Sequence, residues 1–333
     1  MHFLHLLLPL LPLTTALLPT RQIYQFPLGT WVENLAVRPT GTILATILTA
    51  PDLYLIDPFS NPPTATLIHT FTTALWVAGI TETTPDTFYV VVANGTIPKD
   101  IPPAPGSNRL FKVHFPTPDA QQPDVSLAAT LADAVTLNGL TTLNAATVLS
   151  ADSTKGVVWA TNVFTGVSRV VISDPLMASV EGKLGVNGLK VYNDCTLFFT
   201  NSAQNIFAKI AIDPLNGTPV GSPATIVATA APGTSFDDFA LDVFGRAFLA
   251  TAAGNTVVEV KKNGRQLVLA GDLNSTQIAE PTGVRFGRTG ADRGVLYVST
   301  AGGLAAPVDG TERVGGQVVA VDTGRDFEGK DLE

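Results

Sequence analysis

Short apolar runs alternate with small polar punctuation along almost the whole chain. Gly185–Ser202 shows the unit most clearly: Asn187-Gly188, a short apolar run, a turn at Asn193-Asp194, then a second apolar run ending in Thr-Asn-Ser. Apolar runs this short, bounded by turn residues, predict strands rather than helices. The same grammar recurs in six segments: a polar or Gly-containing lead-in, a strand, a turn, and a second strand ending in small polar residues, followed by a third strand. The segments start at Trp31 (WVENLAV, TILATIL, DLYLID) and Leu75 (LWVAGI, TFYVVVA, RLFKVHF). The next start at Leu137 (LNGLTTL, GVVWATN, VSRVVI) and at the opening stretch, which IFAKIAID completes. The last two start at Ser235 (SFDDFALD, GRAFLAT, TVVEVKK) and Glu280 (EPTGVRF, GVLYVST, GQVVAVD).

The lead-ins lie about 45 to 60 residues apart, near the length of a propeller blade. Outer strands ATLIHTF, VSLAATL, ATIVATA and RQLVLAG follow most segments, but the sixth has none at its C-terminal end. Arg21–Pro27 (RQIYQFP) stands alone before the first blade and resembles RQLVLAG. This predicts an all-β, six-bladed β-propeller spanning residues 19–333 as one domain, with the N-terminal strand closing blade six and covering the sheet edges. A pair of β-sandwiches would show a composition break near mid-chain, and there is none.

Composition fits this reading. Hydrophobic residues make up 45% and charged residues 14%, enough for a large core under a weakly charged surface. The net charge of -8 and the lack of a Lys/Arg cluster argue against nucleic-acid binding. Residues 1–18 are expected to be a signal peptide: Phe3–Leu13 is apolar, and Thr14-Thr15-Ala16 offers a small-residue cleavage site. The run is too short to span a bilayer, and no later segment qualifies. Asn94, Asn216 and Asn274 head Asn-x-Ser/Thr sequons. The expected destination is the secretory pathway, with the protein secreted or vesicular. Cys195 is the only cysteine, so no internal disulfide forms.

In a propeller the lead-ins and the ends of the second strands meet at one channel mouth. From the lead-ins this places Glu33, Asn34, Trp76, Asn138, Asn187, Asp237 and Thr282 there. From strand ends it adds Thr49, Asn94, Asn162, Asn201, Ser202, Thr251 and Thr300. Asn and Asp are also ordinary turn formers, but their recurrence in one register favours a shared site. The Pro-rich insertion Asn94–Asn108 would project over this mouth as a lid or wall. A glycan on Asn94 would crowd it. The aromatic candidates for the walls are Trp31, Trp76, Phe164, Phe236 and Phe239, with core packing as the alternative for the last two.

VNGLKVYNDCTLFFTNS and FDDFALDVFGRAFLAT resemble recurring elements of SMP-30/gluconolactonase-like propellers, and WVENLAV falls where that family has Glu-Gly-Pro. The resemblance implies a divalent cation, often Ca²⁺, on Glu33, Asn187 and Asp237, with Asn138 as a fourth contact. Oxygen ligands of this kind suit hard cations. Two departures stand out: Asp238 replaces the family's Gly, and Glu-Gly-Pro has become Glu33-Asn34-Leu35. Trp31–Leu35, Leu53–Pro58 and Thr136–Leu140 are similar to fungal secondary-metabolite members, among them the hetero-Diels–Alderases of tropolone–sesquiterpenoid biosynthesis.

After the leader, His69 and His114 are the only histidines, and both fall on outer or third strands. A Ser–His–Asp hydrolase or a His-ligated zinc site is therefore not expected. Three readings stand. One is a hetero-Diels–Alderase for small apolar substrates, needing no cofactor for the cycloaddition. It would use Asn138, Asn187, Asn201, Ser202, Asp237 and Thr282 as catalytic groups, with Trp31, Glu33, Asn34, Trp76, Asn162, Phe164, Thr251 and Thr300 as substrate contacts. The second is a metal-dependent lactonase with Asp237 as general base. The third is a non-catalytic binding propeller.

Overall fold

A computed structural model describes residues 17–95 and 103–324. Most of the expected leader (residues 1–16) and the middle of the Pro-rich insertion (96–102) lie outside the described residues. Six four-stranded antiparallel sheets form the blades, and each runs from an inner strand at the axis to an outer strand at the rim. Blade one comprises Val32–Val37, Ile43–Ile47, Asp52–Asp57 and Thr64–Thr70. Blade two comprises Trp76–Thr84, Thr87–Ala93, Arg109–His114 and Asp124–Thr130. Blade three has Leu137–Asn144, Thr147–Asp152, Val157–Asn162 and Ser168–Ser173, and blade four has Val186–Tyr192, Thr196–Asn201, Ile206–Ala211 and Thr225–Thr229. Blade five is Phe239–Leu241, Ala247–Ala250, Thr256–Val260 and Gln266–Gly271.

Blade six joins Pro281–Phe286, Val295–Thr300 and Gly315–Asp322 to the N-terminal strand Thr20–Leu28. That strand pairs antiparallel with Gly315–Asp322, so the ring closes by joining the two ends of the chain, as the sequence predicts. Leu18, the last residue of the expected leader, donates its backbone N–H to the Leu269 carbonyl and packs on the apolar layer between blades five and six.

There is no single central core. One apolar cluster fills each gap between neighbouring blades, for example Val186, Leu189 and Phe199 of blade four against Leu149 and Ala160 of blade three. This is why inner and second strands carry near-continuous apolar runs: both faces of each sheet are covered.

Blade three differs from the sequence reading. Its second strand is Thr147–Asp152, and GVVWATN supplies the third. The sequence reading assigns TVLSAD to no strand, yet every residue after Thr147 is buried. Asp152 is tolerated there because the backbone N–H groups of Val135, Thr136 and Lys155 and the Trp159 indole all donate to its carboxylate. The correction moves Asn162 and Phe164 to the far end of the blade. Asn162 caps the next turn by accepting from Phe164 and Thr165, and Phe164 is 76% exposed.

Candidate functional site

Five of the six inner strands carry an irregularity at the same place, just where they enter the channel. Pairing jumps from Val186↔Asn201 to Leu189↔Phe199 in blade four, with equivalent shifts after Val32, Val77, Leu137 and Pro281. Such a bulge adds a residue and breaks the period-two alternation. Successive residues at the bulge therefore form two rings around the axis. The upper ring is Glu33, Ala78, Asn138, Asn187, Asp237 and Thr282. The lower ring is Asn34, Gly79, Gly139, Gly188, Asp238 and Gly283. Four of these six are glycine because the strands nearly touch there. A Cβ on Gly139 would lie 2.1 Å from the Asn187 carbonyl oxygen, and one on Gly188 would lie 2.7 Å from Asp238 Oδ1.

The upper ring is acidic and polar. Glu33 is buried, and its Oε2 accepts the Trp31 indole N–H at 2.5 Å. Burial pushes Glu33 up to about 7, despite the Trp31 bond, and the charges of Asp238 and Glu280 push the same way. Asp237 is held well above the usual carboxylate range, first by burial and then by the neighbouring charges of Glu33, Asp238 and Glu280; Asn187 opposes this by donating to it. Asp237 Oδ1 is shut off from solvent and has no hydrogen-bond partner among the described residues. Asn187 also donates to Ser202 Oγ at 2.9 Å, and Ser202 Oγ donates to the Phe236 carbonyl. Thr282 Oγ1 donates to the Val32 carbonyl at 2.7 Å, which ties blade six to blade one. Among the described residues no hydrogen-bond partner holds the Asn138 side chain.

The lower ring closes the channel beneath it. Asn34 Nδ2 donates to Asp238 Oδ2 at 2.8 Å, and Arg285 Nη2 donates both to Asn34 Oδ1 and to Asp238 Oδ2. Lys190 Nζ donates to Asp238 Oδ1 at 2.8 Å. Burial alone would raise Asp238, but the charges of Lys190 and Arg285, with hydrogen bonds from Lys190 and Asn34, hold it well below the usual carboxylate range. Burial, and then the Arg285 charge, lowers Lys190 to about 8 against the pull of Asp238.

The structure thus brings together Glu33, Asn138, Asn187, Asp237 and Thr282, with Trp31 and Ser202 beside them. Other predicted site residues serve the fold. Trp76 precedes the ring position, which Ala78 fills, and lies in the apolar layer between blades two and three with its indole N–H unpartnered. Asn34 belongs to the buried lower ring. Asn201 is fully buried and donates to the carbonyls of Leu176 and Ala178. Thr251 is tied to Thr256, and Thr300 to Gln317. Thr49 Oγ1 accepts the Trp31 backbone N–H. Phe236 and Phe239 are buried between blades four and five. Asn94 is half-buried at the mouth, Asn216 holds its own Thr218, and Asn274 is exposed. The residues that sequence reasoning missed are Asp238 as a functional anchor, Lys190 and Arg285.

Among the described residues no group of three His, Cys, Asp or Glu side chains stands ready for a metal. The mixed set of two carboxylates and two amides nevertheless fits a hard cation. The Glu33 charge raises the proton affinity of Asp237, and Asp237 Oδ1 has no hydrogen-bond partner among the described residues. No helix of the described residues is long and apolar enough to cross a membrane.

No family model matches the chain. It is 27% identical over 311 residues to a protein of Phoma sp named "Putative hetero-Diels-Alderase", covering 85% of this chain and 86% of that one. It is 26% identical over 318 residues to the similarly named asR5 of Sarocladium schorii, covering 85% and 78%. Among solved structures it resembles the calcium-binding protein regucalcin of Agrobacterium tumefaciens, with a TM-score of 0.64 and 15% identity over 92% of this chain and 95% of that one. A protein described as a "putative gluconolactonase" superposes with a TM-score of 0.62 at 13% identity, over 92% of this chain and 94% of that one. The structural likenesses establish a shared fold. The resemblance to hetero-Diels–Alderases and to gluconolactonase-like propellers expected from the sequence is thereby found, and the two sequence relatives support a pericyclase-like role.

Proposed function

We propose that the protein is a hetero-Diels–Alderase that joins a tropolone-derived o-quinone methide to a humulene-type alkene at the upper mouth of the channel. The observation that carries this is the coincidence of two relatives of that name with a polar mouth in which the Asn138 amide has no hydrogen-bond partner among the described residues. In the cycloaddition one C–C and one C–O bond form as the π systems of heterodiene and alkene reorganise. No proton, electron or leaving group is exchanged. The protein must therefore orient two apolar partners and place hydrogen-bond donors at the heterodiene oxygen, where negative charge develops. The Asn138 amide is such a donor. Asn187 and Ser202 hold one another in place beside Asp237, and the Trp31 indole fixes Glu33.

The test is to incubate the purified protein with the two precursors and resolve the adducts by chiral chromatography. One dominant stereoisomer formed faster than in buffer is expected, with Asn138→Ala slowing formation by roughly 10²-fold. A product ratio and stereochemistry identical to buffer would overturn the proposal.

The cation-compatible donor set favours one alternative, a lactonase. Glu33, Asn187 and Asp237 would hold the ion, which would supply Lewis-acid polarisation of the substrate carbonyl. On that reading EDTA abolishes turnover and Asp237→Asn is inactive, whereas the cycloaddition survives EDTA.

A further inference from the structure

The inner strands continue past the lower ring to the opposite face, where they line a second cavity of about 250 Å³. Its chemistry is the reverse of the upper mouth. Lys190, Arg285 and Arg288 reach it, with Glu82 as its acidic member. Ile80, Phe88, Leu140 and Phe286 give it apolar walls.

The cations are not fully used by the protein. Arg288 donates through Nη1 to the Val37 carbonyl and to Glu82 Oε2, while its Nε and Nη2 have no partner among the described residues. Its side chain is 37% exposed at the rim. Lys190 spends two of its three N–H bonds, on Asp238 and on the Leu189 carbonyl. Arg285 leaves Nε unbonded. Among the described residues lining the cavity or bonded to them, three cations face two carboxylates, Asp238 and Glu82; the nearby Arg38–Asp86 and Arg246–Asp242 pairs are each neutral in themselves. The cavity therefore carries one surplus positive charge within a chain whose net charge is -8.

We propose that this lower cavity is a binding site for a small organic monocarboxylate with an aromatic or compact aliphatic body. The guanidinium of Arg288 would take the carboxylate, and the body would lie against Ile80 and Phe286. A monoanion neutralises the surplus charge, the planar guanidinium edge matches a carboxylate, and the walls suit carbon rather than water. The site is separated from the upper mouth by the closed lower ring. It holds whatever reaction the upper mouth performs.

Benzoate, benzamide and inorganic phosphate titrated separately into the full protein at pH 7 test this by isothermal titration calorimetry. Methyl spectra with labelled isoleucine follow Ile80 in parallel. Benzoate is expected to bind at one site and shift Ile80, with neutral benzamide at least tenfold weaker and phosphate weaker than benzoate. Arg288→Met should weaken benzoate about tenfold. Ala240→Leu, which keeps every charge but fills the cavity, should abolish binding in a protein that thermal unfolding shows to be folded. Equal affinity for benzamide would remove the role of charge. Tighter binding of phosphate would remove the role of the apolar walls. Benzoate binding unchanged in both variants, or absent at millimolar concentration, would overturn the site.

Discussion

The two ends of the channel are built from the same inner strands and are chemically opposite. At the upper end, burial and neighbouring acidic charge make Glu33 and Asp237 both hold protons unusually tightly. At the lower end, Lys190, Arg285 and Arg288 gather. The strand that offers Asn187 above offers Lys190 three residues later, and the one that offers Thr282 above offers Arg285 below. Asp238 and Asn34 stand between the two ends. The comparison teaches that this fold leaves each level of the channel free to vary. Packing between blades is carried by apolar residues that face away from the axis, so axial residues can serve chemistry and electrostatics.

Removing the divider should have the largest effect. Asp238→Ala leaves Lys190 and Arg285 buried without their carboxylate, which is expected to cost about 3–5 kcal/mol in urea denaturation. A loss below about 1 kcal/mol would show that the ends are not bridged as described. Next is Gly139→Ala in the glycine ring, where the new methyl would meet the Asn187 carbonyl. A destabilisation of about 1–3 kcal/mol is expected from the forced shift, and the upper mouth should lose activity with it.

These two residues also show what the sequence could convey. The six-blade repeat, the closing N-terminal strand and five of the six upper-ring residues are legible because lead-in residues recur in one register. The lower end is not, because the bulge breaks the strand alternation that would have placed Lys190 and Arg285 in the channel. Asp238 and Asn34 were visible, but only as two separate departures from the gluconolactonase-like pattern. In three dimensions they are hydrogen-bonded to each other, so one departure accounts for the other. Trp76 was misplaced because its indole suggested a wall, whereas Ala78 holds blade two's ring position. In blade three, the strand Thr147–Asp152 lies between the two runs that the sequence reading paired.

A smaller effect concerns pH. Lys190 sits at about 8 in the folded protein, below the ordinary lysine value of 10.5. Between those values the unfolded chain binds a proton that the folded chain does not, so Lys190's contribution to stability rises with pH across this window. The groups facing it are Asp238 and Arg285, with Glu82 and Arg288 on the same cavity. Denaturation of wild type and Lys190→Met from pH 7.5 to 10 should show wild type gaining on the variant. Parallel pH profiles would contradict the assigned burial.

The central claim is that the upper mouth directs a cycloaddition through its unpartnered amide and its polar, His-free ring. The most direct measurement is the initial rate and stereoisomer ratio of adduct from the o-quinone methide precursor and alkene, with EDTA present, for wild type, Asn138→Ala and buffer. The account predicts one dominant stereoisomer for wild type, formed roughly 10²-fold faster than by Asn138→Ala. Identical rates and ratios in all three samples would contradict it.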